Sequence, residues 1–231
     1  MRRLTFGSIR IKDPFSALSH ALAMPLALAA LVVLVTFASL EATAWHVVSF
    51  AIFGTTMFMV YLASTLYHWL PLTASQERLF RRIDQSAVYL LIAGTYTPIA
   101  LVAIRGSWGW TLFGLTWVLA SLGILSQWWR RSRKAQQTRL HAAIYLSLGW
   151  VCVAFLTPIV RALSTQALIW LVLGGVSYTF GAVVYALKRP NLIPGVVEAH
   201  EVFHVFVLIG SFCHFWLMFK YVLPMNGLGL G

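Results

Sequence analysis

The sequence predicts an all-α integral membrane protein, a bundle of seven transmembrane helices. Of its 231 residues, 60% are hydrophobic and 10% are charged, and the mean hydropathy is +0.80. Soluble domains have roughly 45–50% apolar and about 25% charged residues, so water cannot be the main solvent of this chain. The apolar stretches are continuous and close to the ~20 residues that a helix needs to cross a bilayer, whereas barrel strands would alternate in polarity.

The seven helices are expected to form one domain, residues 1–231, and helix breakers or charges mark the joints between them. Pro71 follows the second helix, Gly106 separates the third from the fourth, and Pro190 and Pro194 follow the sixth. The first apolar run is too long for the apolar core of a signal peptide, which favours a retained first helix. The predicted ranges are 17–40, 45–70, 84–104, 108–129, 140–160, 166–187 and 199–223.

Basic residues are distributed unequally between the two sides of the predicted bundle. Of the 17 Lys and Arg residues, only Arg105, Arg161 and Lys220 fall on the side opposite the N-terminus. The positive-inside rule therefore places the N-terminus in the cytoplasm and the C-terminus outside. The net charge of +11 is explained by this orientation rather than by nucleic-acid binding. The expected partners are membrane lipids, and the short loops suit a compact protein of the bacterial cell (inner) membrane.

Polar residues within the spans are candidate functional residues, because burying a polar side chain in lipid costs free energy. Ser64 and His68 share one face of the second helix because they are four residues apart, and His200 and His204 share a face of the seventh for the same reason. Asp84 is predicted to open the third helix. The topology places all five at the cytoplasmic ends of their helices, at one membrane depth.

Three imidazoles at one depth predict a metal site formed by His68, His200 and His204. Three histidine ligands and an open fourth position are typical of a catalytic zinc, so the predicted cofactor is Zn²⁺. Such a metal can activate water and polarise a carbonyl. In this interpretation the catalytic residues are Asp84, which orients the water or relays its proton, and Ser64, which forms a hydrogen bond to the substrate or to a neighbour of the metal.

Simpler interpretations of these polar residues stay open. Asp84 and Glu198 could merely favour helix N-termini, and Ser64 could bond to the backbone of its own helix. A histidine in a span often has only a packing or hydrogen-bonding role. That role is expected for three other histidines, namely His46, His141 and His214.

Residues 200–204 also match the HExxH pattern of zinc metalloproteases. In those enzymes the two histidines bind the metal and the glutamate is the general base. Glu201 would be that base here, which makes an intramembrane metalloprotease an alternative to be tested.

Three segments together resemble the haemolysin III family. Residues 64–68 read Ser-Thr-Leu-Tyr-His, residues 82–98 read Arg-Ile-Asp-Gln-Ser-Ala-Val-Tyr-Leu-Leu-Ile-Ala-Gly-Thr-Tyr-Thr-Pro, and residues 200–214 run from His-Glu-Val-Phe-His to Ser-Phe-Cys-His. This family belongs to the progestin and adipoQ receptor superfamily, with the adiponectin receptors and, more distantly, the alkaline ceramidases. The resemblance implies seven helices, zinc at the three histidines, and Asp84 and Ser64 as the remaining polar positions.

The expected function follows from the polar residues and from the resemblance together. Relatives are proposed to hydrolyse lipid amides, so the chain is expected to be a metal-dependent hydrolase of membrane lipid amides or esters. The alternative is a receptor-like or membrane-homeostasis protein with a structural zinc. A protease or a lytic pore is less favoured, because the adiponectin receptors carry glutamine where Glu201 stands and no segment here is typical of a soluble-to-membrane transition. Where the family usually opens the first helix with Glu, Asn and Thr-His, this chain has Asp13, Ser16 and Ser19-His20.

Overall fold

Seven membrane-length helical segments make up the bundle. The computed structural model describes residues 5–6, 9–129, 134–194 and 196–225. Seven segments in that part of the chain are long and apolar enough to cross a membrane, which confirms the predicted all-α bundle. Two short antiparallel strands, β1 (Thr5–Phe6) and β2 (Ile9–Arg10), precede the first helix.

The helices have the following bounds: α1 Pro14–Glu41, α2 Ala44–Trp69, α3 Ala74–Pro98, α4 Ser107–Trp129, α5 Lys134–Gly149, α6 Leu156–Ala162, α7 Thr165–Leu187 and α8 Ala199–Leu217. Irregular turns continue three of them, namely the π-helical turns Ile99–Ala103 after α3 and Met218–Val222 after α8, and the 3₁₀ turn Val151–Phe155 after α5. The fifth span therefore comprises α5, the 3₁₀ turn and α6.

Sequential neighbours pack together, and α1 closes the bundle against α8. The main contacts join α1 to α2, α2 to α3, α3 to α4 and α7 to α8, with α5 packed on α7. The span that contains α3 is the most enclosed. The ends of α1, α2, α3 and α8 that carry the candidate residues consequently meet around one interior region.

The third helix begins ten residues before residue 84, so its predicted start was wrong. Thr73 and Gln76 form a capping box, in which the Thr73 N–H donates to Gln76 Oε1 at 2.9 Å. The first turns of α3 are charged, so hydropathy alone did not assign them to the membrane span. The capping box nevertheless stabilises a helix that begins there. Asp84 thus lies in the third turn of α3, so its interpretation as a helix N-terminal residue was also wrong.

The fifth span is interrupted where a continuous helix was predicted. The Tyr96 hydroxyl donates to the Gly149 carbonyl and accepts from the Cys152 N–H at 3.2 Å, so a side chain from α3 replaces helical backbone bonds. Pro158, in the first turn of α6, has no N–H to donate, and its ring would clash with the carbonyl four residues earlier in a continuous helix. Insertion of a side chain and a nearby proline are both recognised causes of helix breaks.

Glycines allow close helix contacts near the centre of the bundle. A Cβ added at Gly94 of α3 would overlap Thr56 Oγ1 on α2, and one added at Gly123 of α4 would overlap the Tyr89 ring on α3. Small residues commonly let membrane helices approach in this way. The packing around α3 is therefore tight on two sides.

The orientation of the bundle stays a prediction, because it depends on the distribution of charge. Several of the basic residues behind it, including Arg2, Arg3, Arg130, Arg131 and Arg133, lie outside the described part of the chain.

Candidate metal site

His68, His200 and His204, called the histidine triad below, converge between α2 and α8. One ring nitrogen from each lies within 4.8 Å of the others, and the Nε2 atoms of His68 and His200 are 3.1 Å apart. Two zinc-bound nitrogens in a tetrahedral site are about 3.3 Å apart, given Zn–N bonds of about 2.0–2.1 Å. The donor set therefore fits a divalent metal after small adjustments, and the triad could hold such an ion.

Asp13 fixes the orientation of His68. Its Oδ2 lies 3.0 Å from His68 Nδ1, and its backbone N–H donates to the His68 carbonyl at 3.1 Å. When Nδ1 donates to the carboxylate, Nε2 keeps a lone pair and points it towards His200. Histidine ligands in metal sites commonly have a carboxylate partner of this kind. This contact gives the Asp13 position, whose role the sequence left open, a clear structural function.

Lys12 adds a positive charge beside this carboxylate. Its Nζ lies 3.7 Å from Asp13 Oδ2 and 3.6 Å from the centre of the Tyr67 ring. Burial lowers the pKa of Lys12, and the neighbouring carboxylates oppose that shift. Burial alone would raise the pKa of Asp13, but the hydrogen bond to His68 and the positive charges nearby hold it below its usual value. Asp13 is therefore ionised at neutral pH.

Glu201 has a structural position at the junction of α1 and α8. Its Oε1 accepts a hydrogen bond from Ser16 Oγ at 2.9 Å, and its Oε2 accepts one from the Glu198 N–H at 3.0 Å. Both carboxylate oxygens of Glu201 are thus engaged, one in docking α1 and the other in capping α8. Glu198 is the N-cap residue of α8, in agreement with the helix N-terminal role expected for it. A zincin-type general base would need a free oxygen facing the metal, so these contacts disfavour the protease interpretation.

Ser64 and Asp84 lie beside the triad, as their predicted roles require. Ser64 is 1% exposed, and its hydroxyl faces the Asp84 carboxyl without a partner at bonding distance among the described residues. The alternative in which Ser64 bonds to its own helix backbone is therefore not what the structure shows. Asp84 is also close enough to His68 for the two to interact electrostatically.

Two cavities meet at the triad. The first, called the polar vestibule, has a volume of about 270 Å³, and its charged and ligating side chains are Asp13, His68, Arg81, Asp84, Glu198, His200 and Glu201. The second, called the long cavity, has a volume of about 250 Å³ and runs between α3, α5, α7 and α8.

Apolar side chains dominate the lining of the long cavity. It reaches from His20, Ser64, Asp84 and His204 to His214. His204 and His214 are ten residues apart on α8, which corresponds to about 15 Å along the helix axis. Asp84 and His200 line both cavities, so the triad separates a polar space from an apolar one.

His20 is a neighbour of the triad that sequence reasoning did not assign. Its ring stacks on that of His204, with centroids 3.9 Å apart and an interplanar angle of 9°. Asp13, Ser16 and His20 are spaced at i, i+3 and i+7, a helical stripe that could have identified them as one inward face of α1. All three contact a residue of the triad or Glu201.

The remaining buried histidines have ordinary hydrogen bonds, as expected. His46 Nε2 lies 3.3 Å from the Val222 carbonyl, His141 Nδ1 lies 3.3 Å from the Tyr89 hydroxyl, and His214 Nδ1 donates to the Gly210 carbonyl at 2.7 Å. These contacts support the packing roles predicted for them.

Comparison with known proteins identifies the family of this chain. The chain matches the family model described as Haemolysin-III related over residues 9–215. It is 36% identical over 209 residues to Hemolysin-3 of Bacillus cereus, covering 90% of this chain and 91% of that protein. It is 35% identical over 206 residues to the Hemolysin-3 homolog of Bacillus subtilis (strain 168), covering 89% and 92%.

A more distant similarity extends to the adiponectin receptors. The chain is 30% identical over 152 residues to the adiponectin receptor protein of Drosophila melanogaster, covering 60% of this chain and 34% of that protein. Seven membrane-length helices and a family match over most of the chain support the same assignment. The chain is therefore a multi-pass membrane protein that belongs to the Haemolysin-III related family.

Proposed function

We propose that the protein binds Zn²⁺ at the histidine triad and hydrolyses an amide or ester bond of a membrane lipid. One observation carries the proposal: the triad lies where the polar vestibule meets the long cavity. A lipid has the same division, with an apolar chain on one side of its carbonyl and a polar headgroup on the other. The chain would enter the long cavity and place the carbonyl beside the triad.

The side chains around the triad supply the functions that hydrolysis needs. When bound, Zn²⁺ would supply a Lewis acid for the carbonyl and make a water molecule more acidic. Asp84 can accept a hydrogen bond from the attacking water and take its proton at a carboxylate oxygen. Ser64 Oγ lies beside that carboxylate and can donate a hydrogen bond to the carbonyl oxygen of the substrate.

The apolar lining of the long cavity contributes by excluding water from the acyl chain. The polar vestibule admits water to the opposite side of the triad, where Arg81 and Asp13 offer charged contacts to a headgroup. Because the predicted orientation places the triad at the cytoplasmic leaflet of the cell membrane, lipids of that leaflet are the proposed substrates.

Metal content tests the binding part of the proposal. Purified protein is expected to hold about one zinc ion, because one set of three histidine ligands is available. Alanine at any position of the triad should remove most of the metal, measured by atomic emission. His46→Ala is the matched control, because His46 is a buried histidine that bonds to the Val222 backbone and to its own helix cap. Full zinc retention in His68→Ala would contradict the three-histidine site.

Lipid turnover tests the catalytic part. Protein in bilayers is incubated with a panel of ceramides and phospholipids, and released fatty acid is measured against a metal-free control. Asp84→Asn should abolish release while zinc is retained, because the amide cannot take a proton from water. Glu201→Gln should have a small effect, since glutamine can still accept from Ser16 through its amide oxygen. Absence of release across a broad panel would favour a non-enzymatic protein with a structural zinc.

A further inference from the structure

His20 is a buried imidazole whose hydrogen-bonding capacity is unused. It is 3% exposed, and neither Nδ1 nor Nε2 has a hydrogen-bond partner among the residues that the structure describes. Buried polar side chains almost always have partners, and each exception calls for an explanation, such as a ligand or an ordered water. The ring of His20 contacts two other rings, those of His204 and Tyr61, at 3.9 Å and 5.2 Å between centroids.

The position of His20 indicates what its nitrogen atoms would meet. It lines the long cavity at the triad end, together with Ser64, whose hydroxyl is also unpartnered within the described part of the chain. Its ring lies almost parallel to that of His204, and its nitrogens are not part of the group of ligand atoms that the triad forms. His20 therefore lines the space that the proposed lipid would occupy and lies outside the group of triad ligand atoms.

We propose that His20 binds the polar group of the lipid next to the scissile carbonyl and favours amides over esters. The inference rests on the proposed function for the identity of the ligand, but it does not require turnover. A neutral imidazole offers one N–H donor and one acceptor nitrogen, and neither nitrogen of His20 has a partner among the described residues.

Amide and ester lipids differ in the hydrogen-bonding groups next to the carbonyl. An amide has an N–H as well as a carbonyl, so it can donate to the acceptor nitrogen of His20. An ester has only acceptors, which leaves that nitrogen without a partner. A site built to hydrogen-bond a donor discriminates against the analogue that lacks it. His20 is thus a specificity-determining residue, and its stacking on His204 holds its ring at the required position.

The test compares two probes that differ in a single group, N-methyl palmitamide and methyl palmitate. Each displaces a fluorescent fatty acid from zinc-loaded, full-length protein in bilayer discs. The amide-to-ester affinity ratio is compared between wild type and variants, so that differences in membrane partitioning cancel. His20→Phe keeps a stacking ring but has no polar atom, whereas His20→Gln keeps a donor and an acceptor.

His20→Phe should lower the ratio about tenfold, the scale of one hydrogen bond, with ester affinity and zinc content changed by less than about twofold. His20→Gln should restore most of the preference. An unchanged ratio in His20→Phe, an equal loss for both probes, or no binding of either probe to wild type would overturn the inference. If the protein prefers the amide but releases no fatty acid, the proposed hydrolysis is wrong while the role of His20 stands. The two proposals can therefore be refuted independently.

Discussion

Removal of the Asp13 carboxylate should weaken metal binding although Asp13 is not itself a ligand. Its Oδ2 accepts from His68 Nδ1 at 3.0 Å, and this bond selects the ring form in which Nε2 faces His200. Without it, His68 can rotate or carry its proton on the wrong nitrogen. Loss of such a partner typically costs 10–100-fold in metal affinity, which is about 1.4–2.7 kcal/mol.

The contacts of the Asp13 backbone allow a clean experiment. Its N–H bonds to the His68 carbonyl and does not depend on the side chain, so Asp13→Ala should leave the start of α1 docked. Zinc affinity would be measured by competition with a chromophoric chelator at constant pH. Asp13→Asn retains an acceptor oxygen but not the charge, and it should fall between wild type and Asp13→Ala.

Ser16→Ala is the matched control for this experiment. It also removes a polar contact between α1 and the bundle, but the partner is Glu201 rather than a member of the triad. Zinc affinity should therefore stay close to that of wild type. If Asp13→Ala binds zinc within about threefold of wild type, or if Ser16→Ala weakens binding equally, Asp13 does not act through His68.

Two further predictions concern orientation and packing. A reporter that is active only outside the cytoplasm should work when fused after Gly231 and fail within residues 130–139; the reverse pattern would refute the orientation. Gly94→Ala should lower the free energy of unfolding by about 1–3 kcal/mol, because its Cβ would overlap Thr56 Oγ1. Gly114→Ala, whose Cβ meets nothing within 4 Å, should leave the melting temperature nearly unchanged, and equal effects of the two would contradict the packing.

Sequence alone was sufficient for the number and type of the spans. Lipid imposes a length and a hydropathy on every helix that crosses it, and both are local properties of a chain. The start of α3 was missed because its first turns, around Gln76 and Glu77, are helical without being apolar. The break in the fifth span was missed because it depends on Tyr96, a side chain of another helix.

For the candidate site too, the sequence predicted some features and only the structure showed the others. Spacing placed His200 and His204 on one face of a helix, and the order of the spans placed His68 at the same depth, so local spacing and topology were enough to predict the triad. Depth does not determine which side of a helix faces its neighbours, since that depends on rotation and packing against the whole bundle.

Only the tertiary structure therefore decided the contacts made across helices. It brought Asp13 to His68, Ser16 to Glu201 and the ring of His20 onto that of His204. It also formed the two cavities that meet at the triad, because a cavity is bounded by side chains from several helices at once. The sequence determined which residues could reach the site, and the packing of the helices determined which of them contact one another.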